Sequence, residues 1–562
     1  MSYTITNSHK YPATLYLPGD SINIEKYQLM GRRVAGKEFA LGIIKNLTQG
    51  EELNILVKSE NEKEYLNKIL LPYLPSKSSL NIITGIEKLN LDELDNIHIP
   101  DPCIEKWSAI RTNSNHNKFS ITGIIHTLCS NAVIDGFKDY IFGGLESWDA
   151  LVCTSTSGKD VVEKTIDFYR KSFERKYNVT ISKQNLPQLY TIPLAVNDIT
   201  CNKSLTRKEK RLNSRKKLGI SQEAIVILYL GRLSFHAKSH PLTLYKALSK
   251  ISFNNHNKEI ILLECGTFAN KLTEEYYNNF IFLFKNITVK RVGGINQASE
   301  QAKIDCLNAA NIFISLSDNI QETFGLTVIE AMAAELPTIV SDWNGYKDLV
   351  KDNETGYLIP TKYASSSDKG LDNVDIEYKF GKINFDYMIG LKSMKTVIDE
   401  NVLIKKLNHL INNNEIRENM GSKSKQRWNK LFNWKVVSKQ YRELWSDLKE
   451  RRESYEGKNY IGCFHPSIDY IFKEYSTETY NKEKLFVDND SINPEILLYP
   501  IHSPMIETIT SKKTSKIIEL INSNKSISSK DLKMIGIQET KAQEIMALIE
   551  KLGIAKNKSR EV

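Results

Sequence analysis

The sequence predicts an α/β protein with parallel sheets and more than one domain. Short apolar runs alternate with amphipathic stretches along most of the chain, as they do when parallel strands are joined by helices. Residues 311–341 show this most clearly, because an apolar run, a polar turn, a helix stopped by Pro337 and a second apolar run follow one another. The 562 residues exceed what one core usually holds, so we expect two or three domains.

The composition narrows the class of protein. Hydrophobic residues make up 41% and charged residues 25%, which is typical of a globular protein. The net charge of +9 suits an anionic substrate or an anionic membrane surface and falls short of a nucleic-acid-binding pattern. We find no membrane-spanning apolar run and no signal core. The 7 scattered cysteines form no Cys-x-x-Cys pair, so we expect reduced thiols, no structural zinc and a cytoplasmic protein.

The first half of the chain predicts a parallel sheet covered by helices. The predicted strands are 13–18, 53–58, 80–84, a run beginning at 119, and 146–155. The predicted helices are 38–45, 60–70 and one beginning at 158. The stretch from Gly31 to Lys37 predicts a glycine-bearing loop, in which Gly36 either lines a ligand site or simply makes a turn. Thr154 and Ser155 either face the same site or cap the following helix.

The second half repeats the alternation. The predicted strands are 224–230, 259–266, 287–294, 311–316 and 337–341. The predicted helices are 297–310, 325–335, 403–412, 415–420 and one long helix over 422–448. Residues 361–394 predict an irregular insertion near the cleft or in an oligomer contact. The basic stretch 207–217 predicts a solvated helix, with a phosphate or lipid-headgroup patch as the alternative.

The stretch from Glu322 to Glu330 carries the clearest chemistry. The amides of Phe324, Gly325 and Leu326 and the positive end of the helix dipole form an anion site. Glu322 lies in the loop before the helix, and Glu330 lies about two turns along it. Ionised carboxylates are strong acceptors for hydroxyls, so the pattern suits a ligand with a charged part and several hydroxyl groups. In the structural alternative, Glu322 caps the helix and Glu330 is solvated.

Three further residues are candidates for the same site. Arg232 follows an apolar strand and Lys238 comes six residues later, so the two cations could neutralise a diphosphate. Two strands end in Gly266 and Gly294, whose tips would flank a nucleotide base. His126 follows a buried strand at the end where open α/β sheets bind ligands, although a single histidine there is usually structural.

The run from Glu322 to Asp342 resembles the signature of retaining glycosyltransferases of the GT-B fold, family 4. This resemblance implies that Glu322 contacts the donor sugar, that Glu330 contacts the nucleotide ribose, and that the amides from Thr323 to Leu326 bind the diphosphate. The Gly-Arg-Leu…Lys pattern implies that Arg232 and Lys238 bind the same diphosphate. The Thr-Gly-x-x-His-Thr pattern implies that His126 reaches the donor sugar or the transferring centre. Two departures are Glu335 in place of a usual glycine and an Arg-to-Lys spacing one residue longer than the commonest form.

The resemblance also implies an architecture and a reaction. Two Rossmann-like domains would face a cleft: an acceptor domain over 1–205 and a nucleotide-sugar domain over 206–425, with a closing helix over 426–450 that crosses back. The donor would be a UDP- or GDP-sugar, and the acceptor a glycan, a lipid-linked molecule or a protein, with retained configuration and neither metal nor cofactor. Surface-glycan assembly, contact with the inner face of the membrane and a homo-oligomer are further expectations.

Residues 455–562 lie outside the resemblance. Predicted helices at 513–522, 529–535 and 539–552 suggest a winged-helix-like module. We favour protein interaction or oligomerisation over nucleic-acid binding, because no helix there concentrates Arg and Lys. Asp488 and Asp490 match an Asp-x-Asp metal pattern, which we take as accidental. Two alternatives to a glycosyltransferase remain. One is a phosphorylase-like enzyme, although the absence of a cofactor-lysine motif from this sequence weighs against it. The other is a non-catalytic sugar-nucleotide-binding scaffold.

Overall fold

A computed structural model describes residues 9–22, 31–111, 115–198, 204–284, 286–365, 370–457, 465–499 and 511–557. The chain divides into two compact units, Met1–His465 and Pro466–Val562. Our expectations for residues 1–8, Cys201 and Cys463 lie outside the described residues. The cysteines 103, 129, 153, 265 and 306 are free thiols.

The first unit begins with an α/β domain built on a parallel sheet. Its strands are β1 (His9–Lys10), β2 (Thr14–Tyr16), β3 (Glu51–Val57), β4 (Ser79–Thr84), β5 (Asn96–Ile99), β6 (Ser120–Ile124), β7 (Ala150–Cys153) and β8 (Gln188–Thr191). Among the described residues these strands pair in parallel in the order β4-β3-β2-β5-β6-β7-β8, and β1 pairs with β3. The side chains of β7 alternate between two hydrophobic cores, one on each face of the sheet. Ala150 and Val152 pack in one core, and Leu151 and Cys153 pack in the other.

Helices cover both faces of this sheet. They are α1 (Gly19–Ile22), α2 (Gly31–Lys45), α3 (Glu60–Leu70), α4 (Asn131–Gly136), α5 (Asp139–Phe142) and α6 (Thr156–Tyr177). Short 3₁₀ segments lie at Leu71–Tyr73, Ile86–Lys88, Leu91–Glu93, Glu105–Arg111 and Lys183–Asn185. The structure contradicts one prediction, because Gly36 lies inside α2 and not in a loop. A Cβ on Gly36 would lie 2.3 Å from the carbonyl oxygen of Ser21, so the glycine permits close packing of the helix there.

The second α/β domain has its own parallel sheet. Its strands are β9 (Ile225–Leu230), β10 (Ile260–Thr267), β11 (Thr288–Gly294), β12 (Ile312–Ser315), β13 (Thr338–Ser341) and β14 (Gly356–Ile359). In the described part of the domain the order is β11-β10-β9-β12-β13-β14. The direction of winding therefore reverses between β9 and β12, and in open α/β sheets ligands bind beyond the carboxyl ends of the strands at such a point.

The helices of the second domain begin with α7. They are α7 (Arg207–Leu218), α8 (Leu242–Asn254), α9 (Lys271–Phe282), α10 (Glu300–Ala309), α11 (Leu326–Ala333) and α12 (Tyr346–Leu349). The prediction that α7 is simply a solvated helix is wrong for two of its arginines. Arg207 donates to the carbonyls of Asn308 and Ala310, and buried Arg215 donates to Asn311 at 2.6 Å, so both hold the segment that leads into β12.

The insertion after β14 is more regular than predicted. It contains β15 (Thr361–Tyr363), α13 (Asn373–Lys379), α14 (Phe385–Ser393) and β16 (Thr396–Ile398). Asp372 caps α13 in a reciprocal capping box with Asp375, and Asn384 caps α14. The insertion packs beside the segment that follows β9, since Met388 and Ile389 share a small core with Ala237.

The domain ends in three helices, α15 (Glu400–Asn412), α16 (Asn414–Leu431) and α17 (Trp434–Glu453). The single helix predicted over 422–448 is wrong, because it breaks at Phe432 and Asn433 starts a new helix as its cap. Helix α17 returns to the first domain, where Trp434, Tyr441 and Trp445 are buried in its core. There Arg442 forms a two-pronged ion pair with Glu51 at 2.6 and 2.7 Å.

The second unit is small and mainly helical. Its elements are α18 (Ile468–Ile471), β17 (Lys484–Phe486), α19 (Ser511–Asn524), β18 (Ser526–Ser528), α20 (Ser529–Met534) and α21 (Glu539–Lys551), with 3₁₀ segments at Lys473–Tyr475 and Pro494–Leu498. Strands β17 and β18 pair antiparallel beside a core of its own. The prediction of two α/β domains with parallel sheets and a helical C-terminal module is confirmed.

Candidate active site

A cavity of about 1010 Å³ lies within the first unit, and both of its α/β domains line it. The first domain contributes α2, the end of α3, and the loop that follows β6. The second domain contributes the loops after β9 and β12, the end of β10 and the start of α11. The cavity therefore lies where the order of strands predicts a ligand site.

The start of α11 forms the floor on the second-domain side. Gly325 precedes the helix with φ +114°, and a Cβ there would lie 2.4 Å from a carbon of the Tyr346 ring. The Tyr346 hydroxyl is hydrogen-bonded to Ser315 at 2.8 Å, so the ring is fixed. In this part of the described chain the amides of Gly325, Leu326 and Thr327 meet no protein acceptor. These free N–H groups and the helix dipole are arranged to hold an anion. Of the three predicted donors, Gly325 and Leu326 are free, whereas the amide of Phe324 donates to Glu322 at 3.5 Å.

Glu322 lies beside this anion site and forms an ion pair with Lys238. The Lys238 ammonium donates to Oε2 of Glu322 at 2.5 Å, and the carboxylate is 12% exposed. Burial acts to raise the pKa of Glu322, but Lys238, the amide of Phe324 and Arg232 outweigh it and hold the pKa below its ordinary value. Glu322 is therefore an ionised acceptor at the mouth of the loop. It caps no helix through a direct side-chain bond, because Gly325 occupies the capping position of α11.

Asn319 organises this loop, and the sequence interpretation missed it. Its side-chain oxygen accepts from the amide of Gln321 at 2.9 Å and from that of Glu322 at 3.3 Å. Its amide group donates to the carbonyl of Lys238 at 2.8 Å, so one fully buried side chain fixes both partners of the ion pair. An asparagine within a polar turn after a strand was the available signal.

Arg232 lines the cavity from the loop after β9. Its main-chain carbonyl accepts from the hydroxyl of Tyr229 at 2.8 Å, which fixes the backbone beneath the side chain. Its positive charge contributes to lowering the pKa of Glu322. Arg232, Lys238 and the amides of α11 are thus three sources of positive potential around one space.

Glu330 lies inside the same cavity and pairs with Lys303 of α10. Lys303 donates to Glu330 at 3.1 Å and lies 2.9 Å from Glu300. Burial raises the pKa of Glu330 and outweighs the opposing effect of Lys303. The solvated alternative for Glu330 is wrong, because its side chain is only 9% exposed. Lys303 was not predicted, since only the fold brings α10 beside α11.

His126 reaches the cavity from the loop after β6. Burial, followed by the charge of Arg32, lowers the pKa of His126 to about 4, so the imidazole is neutral at pH 7. Its Nε2 atom is buried and has no hydrogen-bond partner within the described chain. A buried ring nitrogen without a protein partner is unusual, which favours a ligand contact over a purely structural role.

Two predicted glycines lie away from the cavity lining. Gly36 faces the backbone of Ser21, and its neighbours Ala35 and Lys37 line the cavity instead. Gly294 ends β11 with φ +117°, while the nearby lining comes from Gly266, Thr267 and residues 297–299. By contrast, Thr323, Phe324, Gly325 and Leu326 all line the cavity as predicted.

The start of α6 connects the two α/β domains. Ser155 caps α6 by accepting from the amide of Gly158, and its hydroxyl donates to the carbonyl of Thr323 at 2.7 Å. The amide of Thr156 donates to the Asp348 carboxylate at 2.5 Å. Ser155 therefore caps the helix, as one of the two predicted alternatives has it, and it also holds the loop that carries Glu322, but neither it nor Thr154 lines the cavity.

Two features are absent from the described residues. No group of three His, Cys, Asp or Glu side chains there is arranged to hold a metal ion. No helix in that part of the chain has the length and hydropathy needed to cross a membrane.

Comparison with known proteins gives similarity over part of the chain. Residues 210–374 match the family model described as Glycosyl transferases group 1. An uncharacterized glycosyltransferase of Methanocaldococcus jannaschii is 26% identical over 172 residues, which cover 31% of this chain and 41% of that protein. The D-inositol 3-phosphate glycosyltransferase of Corynebacterium efficiens is 27% identical over 175 residues, covering 30% and 40%. The match thus spans about two-fifths of the length of these relatives.

Among solved structures, a glycosyltransferase from Rickettsia africae aligns with a TM-score of 0.49 at 16% identity, covering 79% of this chain and 99% of that chain. The family match falls on the second α/β domain and includes Arg232, Lys238, Glu322 and Glu330. The similarity to this family is therefore located in the second α/β domain, where the sequence motifs led us to expect it.

Proposed function

We propose that the chain is a glycosyltransferase that moves a sugar from a nucleotide-diphosphate donor, a UDP- or GDP-sugar, to a hydroxyl acceptor. The single observation that carries this proposal is the arrangement around the α11 N-terminus. Free amides, Arg232 and Lys238 provide positive potential for a diphosphate, and the carboxylates of Glu322 and Glu330 lie on either side of it.

The proposed chemistry depends on charge that develops on the leaving diphosphate. Breaking the bond between the anomeric carbon and the phosphate oxygen places negative charge beside the α11 amides, Arg232 and Lys238. Preorganised positive groups at such a position usually make the largest contribution to catalysis. Side-chain cations would then replace a metal ion in this role, in keeping with the metal-independent reaction that we infer.

Lys238 has two partners in this proposal. Without donor it neutralises Glu322, and with donor its ammonium would turn to the diphosphate and release the carboxylate to accept sugar hydroxyls. Glu330 would accept from the ribose hydroxyls while Lys303, which donates to it at 3.1 Å, holds its carboxyl group in position. The neutral imidazole of His126 would supply its unpaired nitrogen to the sugar from the opposite domain.

We further infer retention of the anomeric configuration without a protein nucleophile. The acceptor hydroxyl would attack on the face that the diphosphate leaves, and a diphosphate oxygen would take its proton. The Glu322 carboxylate accepts from Lys238 and from the amide of Phe324, so it is held as a hydrogen-bond acceptor and is placed to bind hydroxyls. An acceptor in surface-glycan assembly remains our working hypothesis.

A donor screen tests the proposal. Purified protein is incubated with UDP-, GDP-, ADP- and CMP-sugars, and nucleotide release and thermal stabilisation are recorded. We expect one donor to be turned over, and Arg232→Ala or Glu322→Ala to lower turnover at least ~100-fold, the scale of losing one charge-stabilising group.

Lys250→Gln is the matched control, because this lysine also forms an ion pair with a glutamate, Glu400, but lies outside the cavity. Near wild-type turnover in both site variants would refute the site assignment. Failure of every donor to stabilise or react would favour the non-catalytic scaffold.

A further inference from the structure

We propose that the outer end of the cavity binds the acceptor through an anionic group that is joined to an apolar portion. This inference rests on the proposed function and narrows the class of acceptor. The outer end is defined by Lys37, Leu41 and Lys45 of α2 together with Lys68, Ile69 and the Pro72–Tyr73 turn. Nothing in the donor chemistry above uses these residues.

Helix α2 presents one side to the cavity along its whole length. Val34, Glu38, Leu41 and Lys45 line the cavity at spacings of three or four residues, which places them on one face of the helix. The opposite face carries Phe39, Ala40, Ile43 and Ile44 into the domain core. The cavity therefore extends along α2 from the donor site to the end of α3.

The charge of this outer end is unbalanced. Within the described chain, Lys37, Lys45 and Lys68 form no salt bridge, and Lys45 lies 4.2 Å above the centre of the Tyr73 ring. The cations nearer the donor are paired, Lys238 with Glu322 and Lys303 with Glu330. Three lysines at one end of a cavity create a positive potential that favours an anionic ligand.

One carboxylate of α2, that of Glu38, also lines the cavity. Glu38 accepts from the side chain of Asn197 at 2.9 Å, and its charge contributes to raising the pKa of Glu330. Glu38 is thus engaged within the protein, and it offsets at most one of the three lysine charges. Arg32, at the start of α2, lies 3.4 Å from Asp20 and is partly neutralised.

The floor between the lysines is apolar. Leu41, Ile69, Pro72 and Tyr73 line it, and Tyr73 remains 48% exposed. Exposed apolar side chains that continue a cavity mark a surface for an apolar ligand group. A phosphate held by lysines, with hydrocarbon on this floor, satisfies both features at once.

The cavity is large for a single small ligand. Its volume of about 1010 Å³ is at the upper end of the roughly 300–1,000 Å³ typical of pockets that hold one small molecule. The cationic groups for the diphosphate come from the second domain, whereas the three lysines come from the first. A second anion therefore has its own set of partners.

The test measures binding of three soluble probes by calorimetry: n-octyl phosphate, n-octyl glucoside and inorganic phosphate, with both amphiphiles below their critical micelle concentrations. The cavity variant is Lys37→Gln/Lys45→Gln/Lys68→Gln. The control variant is Lys88→Gln/Lys106→Gln/Lys164→Gln, which removes the same charge from exposed lysines of the same domain outside the cavity. Stabilisation by UDP and GDP is measured in parallel on all three proteins.

We expect octyl phosphate to bind wild type and control at least ~10-fold more tightly than octyl glucoside, and to lose at least ~10-fold in the cavity variant, because charge-assisted hydrogen bonds are lost. Nucleotide stabilisation should not change. Equal binding of the two amphiphiles, or undiminished binding by the cavity variant, would overturn the inference. Inorganic phosphate that binds as tightly as octyl phosphate would overturn the apolar part.

The two proposals fail separately in this experiment. If no nucleotide stabilises the wild type while octyl phosphate binds through the three lysines, the anion site is supported and the proposed donor chemistry fails. If a nucleotide stabilises all three proteins and octyl phosphate binds none of them, the donor site is supported and the acceptor inference fails.

Discussion

Replacement of Gly325 by alanine should disable the anion site through backbone strain. The residue has φ +114°, a region that L-residues rarely adopt, and its Cβ would lie 2.4 and 2.9 Å from two carbons of the Tyr346 ring. The ring cannot withdraw easily, because Tyr346 is 1% exposed and its hydroxyl is bonded to Ser315. The helix must therefore move if the alanine is to fit.

The size of the effect follows from two costs. An L-residue in a left-handed conformation costs about 1–3 kcal/mol, and overpacking of a buried ring costs about 1–3 kcal/mol more. We expect the unfolding free energy to fall by about 2–6 kcal/mol. A shift of about 1 Å in the amides of Leu326 and Thr327 would weaken catalysis by about 100-fold, the scale of misplaced catalytic groups.

Two glycines provide the control for strain alone. Gly50 and Gly381 have φ +84° and +74°, and a Cβ at either would meet nothing within 4 Å. Alanine at these positions should cost only about 1–3 kcal/mol and leave nucleotide binding unchanged. The assay is thermal unfolding with and without UDP and GDP for all three variants. If Gly325→Ala matches the two controls in stability and nucleotide response, the argument from the Tyr346 contact is refuted.

Two further predictions concern stability. Gly42→Ala should destabilise the protein, because its Cβ would lie 1.9 Å from the buried Trp434 ring, although helix propensity alone favours alanine by ~1 kcal/mol. Gly31→Ala, at an open position of the same helix, is the control and should be neutral or stabilising. A Gly42→Ala variant that is more stable than wild type in thermal unfolding would contradict this prediction. Burial raises the pKa of Asp318 to about 7 from an ordinary 3.8. Between pH 3.8 and about 7 the native state therefore holds a proton on Asp318 that the unfolded state lacks. The unfolding free energy falls as the pH rises through this window, by at most about 4 kcal/mol. Asp318→Asn should flatten this decline in a pH series of melting temperatures, and an unchanged slope would argue against it.

Much of the fold and part of the site could be predicted because local pattern and sheet topology agree. The apolar runs before Arg232 and before the Glu322 loop are neighbouring strands, so their carboxyl ends meet in space whatever the detail of the side chains. These residues can be identified in the sequence, but which of them form ion pairs or hydrogen bonds with one another cannot. Lys303 and Asn319 act through contacts across elements, and such contacts have no local pattern.

The wrong predictions have local causes of two kinds. Gly36 suggested a loop because glycine is a poor helix former, but close packing against Ser21 requires it within α2. Tertiary contact overrode propensity there. The insertion after β14 is different, because Asp372 and Asn384 are ordinary helix caps that were visible in the sequence. Asn433, which restarts the helix before Trp434, gave the same kind of signal.

The return of α17 to the first domain has a consequence for protein synthesis. The buried rings of Trp434, Tyr441 and Trp445 belong to a core whose strands are complete more than two hundred residues earlier in the chain. While residues 206–450 are translated, at roughly 5–20 residues per second, that core face would stay uncovered for roughly 10–50 s. The first domain is thus finished only after the second has emerged from the ribosome. A fragment ending near residue 205 would expose this aromatic-lined face permanently, and aggregation during expression is its expected fate.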